Sequence, residues 1–504
     1  MSTVIVTKKD ETLIQFSCSD GGVYAEISEF FTFYAEGYKY MPAYKNKMWD
    51  GKIRLANLRN NTLPFGLLVH LAEFCRSRGY EIKISDEILK VHRPSLEELQ
   101  EYADMIPLSV NGKRIPGMRD YQFDGFSHAI RENRSLLISP TGSGKSLIIY
   151  MLLRWYLDHH SDDKMVLIVV PTTGLVEQMK KDFIDYSTFD DSFDAEKEVH
   201  QIYSGKEKFK FPGRVVVTTW QSAVKLDKRW FAPFGMVIGD EAHQFKAKSL
   251  NDIMGRLVNA NYRIGTTGTI DDIQCNKLIL IGNFGPVHRV TSTKALMDSD
   301  TLAKLKINCL VLKYPDELRK VVSKVDYQSE IDFIVSHEGR NRFIANLAAD
   351  LKGNTLVLFN YVEKHGKPLY KLITDKTKGS GRKIFYVSGE VATDAREKVR
   401  EITEGEKDAI ITASMGTFST GVNIRNIHNI IFAAPSKSQI RVLQSIGRGL
   451  RKSDDGRDTT LYDISDDFSW KKAKNFTLNH AISRVKIYDN EKFEYAMFEV
   501  PMPK

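Results

Sequence analysis

A glycine-rich run between a strand pattern and a helix pattern restricts the fold of this chain more than any other feature. The run is Ser139-Pro-Thr-Gly-Ser-Gly-Lys-Ser146; it follows Ser135-Leu-Leu-Ile138 and precedes Leu147-Ile-Ile-Tyr-Met-Leu-Leu153. Strand, tight loop and helix in this order form a phosphate-binding loop, where backbone N–H groups meet an anion at a helix N-terminus. Gly142 and Gly144 allow the required turn, although the usual first glycine of the pattern is a serine here. The run predicts an α/β domain with a parallel sheet.

Two carboxylates end another apolar strand pattern later in the chain. In Phe234-Gly-Met-Val-Ile-Gly-Asp-Glu-Ala-His243 they are Asp240 and Glu241. Alone, such a pair is more often a solvated strand end, but a phosphate loop upstream favours an ATP hydrolase. Asp240 is then placed to hold Mg²⁺ with the Ser146 hydroxyl, Glu241 to orient or deprotonate the attacking water, and Lys145 to reach the β- and γ-phosphates. The residues expected to bind ATP here are Pro140, Thr141, Gly142, Ser143, Gly144, Lys145, Ser146 and His243.

Apolar strand patterns alternate with helix patterns in two successive sets. This rhythm predicts two tandem, largely parallel sheets with helices on both faces, and a crossover between Gly285 and Tyr314. The predicted domains are an N-terminal α+β module over 1–108, a first sheet domain over 109–300, and a second over 301–504 with a helical tail. The predicted strands are Leu136–Ser139, Met165–Val170, Val215–Thr218, Met236–Gly239 and Tyr262–Gly265, then Leu356–Asn360, Ile384–Ser388, Ala409–Thr412, Ile430–Ala433 and Leu461–Ile464.

The composition is compatible with a polyanionic partner but does not prove one. At 504 residues the chain is too long for a single core, and its net charge is +8. Four cysteines without pairing or metal spacing predict a reduced, cytosolic protein. The sequence has neither a signal-peptide pattern nor an apolar run of membrane-spanning length, so no membrane partner is expected.

Small hydroxyl residues follow several predicted strands, in Pro171–Met179, Thr218–Ser222 and Thr412–Asn423. Their hydroxyl and N–H groups suit phosphodiester contacts, which position a strand without reading its sequence. Helix capping by the same hydroxyls is an equally good interpretation for any one residue. Ile264–Thr269 also ends a strand and could couple nucleotide state to domain closure. The nucleic-acid candidates in the two sheet domains are Thr172, Thr173, Thr218, Gln221, Ser222, Phe359, Ser388, Ser419, Thr420 and Gly421.

Gln444-Ser-Ile-Gly-Arg-Gly-Leu-Arg451 carries two arginines three residues apart. Arg448 and Arg451 therefore share one face of a helix and, with Gln444, are candidate catalytic residues. An arginine that completes the site from the second domain would stabilise γ-phosphate charge in the transition state and make hydrolysis depend on closure. The alternative is a solvent-exposed basic helix.

The number, order and spacing of these motifs over residues 117–465 resemble superfamily-two helicases and translocases. The resemblance implies RecA-like domains, ATP and Mg²⁺ as cofactors, and a nucleic-acid strand that crosses both domains and is moved 3′ to 5′. It also implies nucleotide binding by Arg119-Asp-Tyr-Gln122, in which Gln122 matches the glutamine that recognises adenine, beside Arg119.

Six strings of the chain carry a narrower resemblance: Phe30–Tyr40, Met48–Leu55, Leu63–Leu67, Lys306–Asn308, Lys313–Glu317 and Tyr386–Glu390. The first three lie in the N-terminal module and resemble the start of the UvsW family, the recombination helicases of T-even bacteriophages; the others continue the similarity. This resemblance implies a monomer in the cytoplasm of an infected bacterium, acting on Holliday junctions, stalled forks, D-loops and R-loops, and annealing strands. Its partners would be branched, single- and double-stranded DNA, RNA–DNA hybrids, and single-strand-binding and recombination proteins.

Basic and aromatic residues also alternate between Gly37 and Asn60. Lysines attract phosphates in a salt-dependent way, and aromatic faces stack on unpaired bases. Lys45, Lys47 and Trp49 are therefore predicted DNA contacts, although Trp49 could equally pack in the core of a turn.

Other functions remain open on the sequence alone. One is a translocase that moves along double-stranded DNA without unwinding it, as in restriction or remodelling systems. The sequence has no nuclease or methyltransferase signature, which counts against a restriction enzyme. Another is an annealing protein for which ATP is only a switch. An RNA helicase shares the same motifs, but the N-terminal resemblance favours DNA.

Overall fold

The structure is a computed structural model that describes residues 2–90, 92–161, 163–203, 211–269, 274–390, 398–399, 401–403, 405–417, 426–434, 456–471 and 473–503. The chain divides into two compact units. One consists of Met1–Ser139 and Ser143–Thr291, the other of Pro140–Gly142 and Ser292–Lys504. The division after residue 291 lies inside the predicted crossover.

A small α+β module opens the first unit. Its four-stranded sheet has the order β5-β2-β1-β6, with β1 antiparallel to β2 and parallel to β6. Helix α3 of this module ends at Gly79, which has the left-handed conformation that favours glycine. The elements are β1 Thr3–Lys8, β2 Leu13–Cys18, α1 Gly21–Phe30, β3 Thr32–Tyr34, α2 Pro42–Lys45, β4 Lys52–Arg54, β5 Thr62–Pro64, α3 Leu68–Arg78, β6 Glu81–Ile84 and α4 Asp86–Leu89.

The first large sheet has seven parallel strands in the order β11-β12-β10-β13-β14-β9-β15. Its central strands are almost wholly buried, because helices cover both faces. A two-stranded ribbon, β7 Ser109–Val110 and β8 Lys113–Arg114, precedes it. The sheet strands are β9 Arg134–Ile138, β10 Met165–Val170, β11 Val199–Ile202, β12 Val215–Thr219, β13 Phe234–Asp240, β14 Tyr262–Thr267 and β15 Val287–Arg289.

Eight α-helices of this part of the chain are described. The first of them, α5, packs into the core of the large sheet rather than into the N-terminal module, since Leu99, Tyr102 and Ala103 join the cluster around Phe126 and Ile149. The helices are α5 Leu96–Met105, α6 Asp120–Glu132, α7 Lys145–His159, α8 Thr173–Tyr186, α9 Ala195–Glu198, α10 Trp220–Ala223, α11 Ala247–Arg256 and α12 Gln274–Phe284.

The second unit contains another seven-stranded parallel sheet, in the order β18-β19-β17-β20-β21-β16-β22. Its strands are β16 Leu305–Lys313, β17 Thr355–Phe359, β18 Ile384–Val387, β19 Ile410–Ser414, β20 Asn429–Phe432, β21 Thr459–Asp467 and β22 Tyr495–Pro501. Its described α-helices are α13 Thr293–Asp298, α14 Asp316–Val322, α15 Tyr327–Ser336, α16 Glu338–Asp350, α17 Lys367–Lys376 and α18 Phe476–Asn490.

The fold class predicted from the sequence is confirmed, with one correction at the C-terminus. The tail contains helix α18, but it then returns as β22, which pairs in parallel with β16. The predicted helical tail is therefore helical over α18 and a strand after it. Among the described residues no helix is long and apolar enough to cross a membrane. The four cysteines are free.

Candidate active site

The phosphate loop connects the carboxyl end of β9 to the first turn of α7. Gly142 and Gly144 have φ values of +86° and +77°, in the region that strains residues with a side chain. A Cβ atom on Gly144 would lie 2.3 Å from Gln122 Nε2. The Ser139 and Ser143 hydroxyl oxygens are 2.6 Å apart, so the serine that replaces the usual glycine connects the first residue of the loop to a residue in its second half.

Lys145 is held by both carboxylates of the predicted site. Its Nζ lies 3.0 Å from Asp240 Oδ1 and 2.5 Å from Glu241 Oε1. Burial lowers the pKa of Lys145, but the two carboxylates outweigh burial and raise that pKa above its ordinary value. The ammonium group therefore stays charged, and a phosphate at the loop would have to compete with the two carboxylates for it.

Strand β14 supports these carboxylates from the neighbouring position in the sheet. Asp240 is in register with Thr266, whose hydroxyl donates to Asp240 Oδ1 at 2.7 Å. The Thr267 hydroxyl is 2.5 Å from His243 Nδ1, which in turn lies 3.5 Å from Glu241 Oε2. Each threonine thus contacts one residue of the Asp240–His243 motif, as coupling between the two motifs requires.

Gln122 holds the phosphate loop from beneath. It is 4% exposed, and its Nε2 donates to the Ser143 carbonyl at 2.8 Å while its Oε1 accepts from the Arg119 N–H at 2.9 Å. The second hydrogen of this amide has no acceptor among the residues that the structure describes. The Arg119 guanidinium donates to the Tyr121 hydroxyl at 2.9 Å. Recognition of adenine by this segment stays a prediction.

The residues predicted to bind the metal supply the oxygen donors that Mg²⁺ prefers, a hydroxyl from Ser146 and a carboxylate from Asp240. The structure adds a contact that the sequence did not indicate. Ser146 Oγ is 2.7 Å from the hydroxyl of Tyr186, a residue forty positions along the chain at the end of α8. No local pattern marks a tyrosine at that distance as part of the site.

The candidate nucleic-acid residues of the first unit differ in what they expose. Thr172 caps α8, because its hydroxyl accepts from the Leu175 N–H at 3.3 Å, and Thr173 is exposed beside it. The exposed Gln221 donates to the Pro171 carbonyl at 3.1 Å and so connects the two motifs. Ser222 lies half-buried in the capped turn that follows β12.

Three of these nucleic-acid predictions need correction. Thr218 is fully buried, its hydroxyl directed at the Thr219 carbonyl, and Thr219 caps the turn instead. Phe359 is also fully buried, stacked against Tyr386 within the second sheet. Ser388 is fully buried as well. None of the three side chains is open to a DNA strand, because each faces the interior.

The remaining predictions of the second unit lie outside the described residues; they are Ser419, Thr420, Gly421, Gln444, Arg448 and Arg451.

The basic and aromatic segment of the N-terminal module forms an exposed surface. Lys45 and Lys47 are exposed and line a cavity of about 580 Å³ with Trp49 and Met48. The Trp49 indole donates to the Lys52 carbonyl at 3.0 Å and is half-buried, so the packed-turn interpretation describes it better than a free stacking face. Tyr40, one of the aromatic residues of this segment, and Met48 are the most exposed large apolar side chains here, at 81% and 77%.

The acidic residue of this surface, Asp50, is neutralised by a neighbouring arginine. Asp50 pairs with Arg54, and hydrogen bonding from that guanidinium lowers the pKa of Asp50 to about 2. With Asp50 paired, the positive charges of Lys45 and Lys47 remain for a polyanion.

The N-terminal module is fixed to α12 of the first sheet domain by close backbone packing. A Cβ on Gly66 would lie 1.9 Å from the Ile281 carbonyl oxygen. Beside this contact, Arg134 pairs with Glu11 at 2.6 Å and lies 4.1 Å above the Phe65 ring. The module thus belongs to the same compact unit as the ATP-site residues Lys145, Asp240 and Glu241.

Comparison with known proteins identifies the family. Residues 4–85 match the N-terminal model of DNA helicase UvsW, residues 97–272 the res subunit of type III restriction enzymes, and residues 339–453 the conserved C-terminal helicase domain. The chain is 36% identical over 501 residues to the ATP-dependent DNA helicase UvsW of Enterobacteria phage T4, covering 97% of both proteins. The chain belongs to the UvsW family of DNA helicases.

One solved structure and one more distant relative are also similar to this chain. The crystal structure of T4 UvsW superposes over 99% of both chains with a TM-score of 0.53 and 35% identity. The DNA 3′-5′ translocase XPB2 of Sulfurisphaera tokodaii is 24% identical over 392 residues, covering 71% of this chain and 84% of that protein. The chain is accordingly an ATP-dependent, superfamily-two DNA helicase with two RecA-like domains.

Proposed function

We propose that this helicase unwinds and branch-migrates branched DNA, namely Holliday junctions, stalled forks, D-loops and R-loops, with 3′-to-5′ polarity. The observation that carries the proposal is that two features occur together in one compact unit. Lys145, Asp240 and Glu241 form an ATP-site cluster, and a basic surface around Lys45 and Lys47 lies on a module packed against the same domain. The translocase name of the Sulfurisphaera relative supports the polarity.

Hydrolysis in this proposal depends on groups that are already positioned. Ser146 and Asp240 would hold a Mg²⁺ ion, which neutralises phosphate charge as the leaving group departs. Lys145 would exchange its contact with Glu241 for the γ-phosphate. Glu241, freed of that ion pair, would accept a proton from the attacking water.

The threonines of β14 would report this change to the rest of the motor. Thr266 donates to Asp240 and Thr267 contacts His243, so a shift of either acidic residue alters hydrogen bonds at the end of the neighbouring strand. Cycles of ATP binding and release would then move a DNA strand held at Thr172, Thr173 and Gln221.

The decisive experiment is ATP-driven processing of a synthetic four-way junction, with Lys145→Ala as the paired control. We expect forked products from the wild type only. An inert junction despite DNA-stimulated ATP hydrolysis would instead indicate a double-strand translocase. Unwinding that persisted in Lys145→Ala would show that the ATP site is wrongly assigned, whereas strand annealing alone should survive this substitution.

The DNA-binding surface can be tested separately from the motor. Replacing Lys45 and Lys47 by alanine should weaken binding and reduce the slope of log affinity against log salt by about 2 if each contacts one phosphate. Lys83→Ala, an exposed lysine on β6 of the same module, is the matched control. Equal slopes for both variants would place the DNA elsewhere.

The biological setting follows the family. We propose that the protein acts as a monomer in the cytoplasm of the infected host, alongside single-strand-binding and recombination proteins. Sedimentation with and without a junction would test the monomer.

A further inference from the structure

The hydrogen bond between Ser146 and Tyr186 connects the ATP site to helix α8. The two hydroxyl oxygens are 2.7 Å apart, and either atom can be the donor. Tyr186 is only 9% exposed; its ring packs edge-on against Tyr150 with centroids 5.6 Å apart. The ring is therefore fixed by the core, and its hydroxyl lies beside the serine expected to bind the metal.

A serine hydroxyl has one hydrogen and two lone pairs. When Ser146 donates its hydrogen to Tyr186, both lone pairs remain for a cation, and the direction of the O–H bond determines where they point. Groups that orient metal-binding side chains in this way tune affinity for the metal although they never touch it. Tyr186 has the geometry for such a role.

The helix that carries Tyr186 begins at predicted DNA contacts. Thr172 caps α8, and exposed Thr173 is its first residue, while Tyr186 is its last. Fourteen residues of α-helix span about 21 Å, and a helix this well packed moves as a rod.

Further contacts tie α8 to its surroundings along its length. Asp185 accepts from the Asn111 and Gly112 N–H groups at 2.7 and 2.8 Å, and Gln201 donates to the Val176 carbonyl at 3.2 Å. A displacement of α8 at its first turn would change these contacts and the Ser146–Tyr186 hydrogen bond together.

We propose that Tyr186 is a positioning residue that orients the Ser146 hydroxyl for Mg²⁺ and links its orientation to DNA bound at the start of α8. The metal part rests on the ATP dependence of the family; the DNA part rests on the proposed contacts at Thr172 and Thr173. The consequence is that strand binding improves the metal site before hydrolysis, which is one physical route to DNA-stimulated ATPase activity.

The test is Tyr186→Phe, which removes the hydroxyl and keeps the ring in the core. Tyr150→Phe is the matched control, since it removes a buried hydroxyl from the adjacent ring, where the Tyr150 hydroxyl contacts Arg154. The measurement is equilibrium binding of a fluorescent ATP analogue during a Mg²⁺ titration, which needs no turnover. Tyr186→Phe should raise the half-saturating Mg²⁺ concentration about tenfold, and Tyr150→Phe should leave it at the wild-type value.

Ser146→Ala distinguishes a positioning role from a general effect of the substitution. If Tyr186 acts through Ser146, adding Tyr186→Phe to Ser146→Ala should change the Mg²⁺ titration no further, because contacting residues are not additive. An unchanged Mg²⁺ midpoint in Tyr186→Phe, or full additivity in the double variant, would overturn the inference.

The DNA part has its own measurement. At saturating Mg²⁺, the ratio of ATPase rates with and without single-stranded DNA should fall severalfold in Tyr186→Phe. A wild-type ratio would remove α8 from the coupling. A wild-type enzyme that DNA does not stimulate would instead disprove the proposed function, and the Mg²⁺ titration would still decide the role of Tyr186.

Discussion

The two large sheets have the same topology but different chemistry at their carboxyl edges. If the seven strands of each sheet are numbered along the chain, both have the order 3-4-2-5-6-1-7, and the strands within each sheet are parallel. The first strand of one sheet, β9, leads into the phosphate loop. The first strand of the other, β16, ends at Lys313, and the sequence that follows it, Tyr314-Pro-Asp-Glu317, is not a glycine-rich loop.

Both edges also carry a cation facing carboxylates, but the surroundings differ. In the first sheet Lys145 meets Asp240 and Glu241 at an opening, with side chains 6–21% exposed. In the second, Arg340 pairs with Asp466 at 2.8 Å with neither side chain exposed, and Tyr314 donates to the same carboxylate. Lys145 is partly exposed, so it can exchange a carboxylate partner for a ligand, whereas the Arg340–Asp466 pair is closed within the core. The shared fold therefore provides a carboxyl edge in each sheet, and the residues of the loops at that edge determine whether it forms a binding site.

The largest effect should come from removing the cation of the open cluster. Lys145→Ala leaves two carboxylates where phosphates must bind, so we expect ATP hydrolysis and unwinding to be lost completely. Lys313→Ala, at the corresponding strand end, breaks a half-exposed pair with Asp467 and should change the DNA-stimulated rate less than twofold. A comparable loss in both variants would mean that both edges take part in hydrolysis.

Removing one partner of the buried pair in the second sheet should reduce the stability of the fold rather than the rate of turnover. Asp466→Ala leaves the Arg340 charge buried and unpaired, which costs about 3–5 kcal/mol of unfolding free energy. Urea unfolding followed by circular dichroism measures the loss, and activity per folded molecule should remain. Asp316→Ala, from the exposed pair with Arg319, is the control and should cost less than about 1 kcal/mol. Equal losses would show that the buried pair contributes no more than a surface one.

The smallest effect is a pH dependence that belongs to the second unit. His365 is buried, and neither ring nitrogen has a hydrogen-bond partner among the described residues. Burial, with a smaller contribution from Arg340, lowers the pKa of His365 from 6.5 to about 3. The unfolded chain therefore takes up a proton below about pH 6.5 that the folded chain excludes, so stability falls as the pH falls through this range.

This loss can be measured by comparing unfolding at two pH values. Between pH 7.5 and 5.5 His365 should cost about 1.4 kcal/mol of unfolding free energy. His365→Leu should remove that part of the pH dependence. An identical pH profile in the variant would show that His365 can be protonated in the folded protein.

The central strands could be predicted from sequence because they are apolar runs buried on both faces. The strands that the sequence did not reveal are mainly at the sheet edges, where burial leaves little pattern. Val199–Ile202 contains two polar residues, Val287–Arg289 is only three residues long, and Tyr495–Pro501 is mostly exposed. Their strand conformation comes from pairing with a neighbour distant in sequence, which composition does not show.

Site prediction was most accurate where backbone conformation and chemistry point to the same residues. The glycines of the loop, Lys145 and the two carboxylates come together as the motifs predict. Thr218, Phe359 and Ser388 were misassigned because a strand end looks the same in sequence whichever face a side chain takes, and one step of register exchanges the faces. Tyr186 was missed because only the tertiary fold brings it to Ser146.

The backbone contact at Gly66 has a practical consequence for chimeric helicases. Because Gly66 allows no side chain against the Ile281 carbonyl, the N-terminal module and α12 have complementary surfaces at that point. A module transplanted from a relative would need a glycine at the position of Gly66. The recipient's α12 would also have to present a matching surface, including a glycine at the position of Gly282, which lies against Pro64. Donor and recipient should therefore exchange α12 together with the module, even though the two segments are separated by most of the first sheet domain.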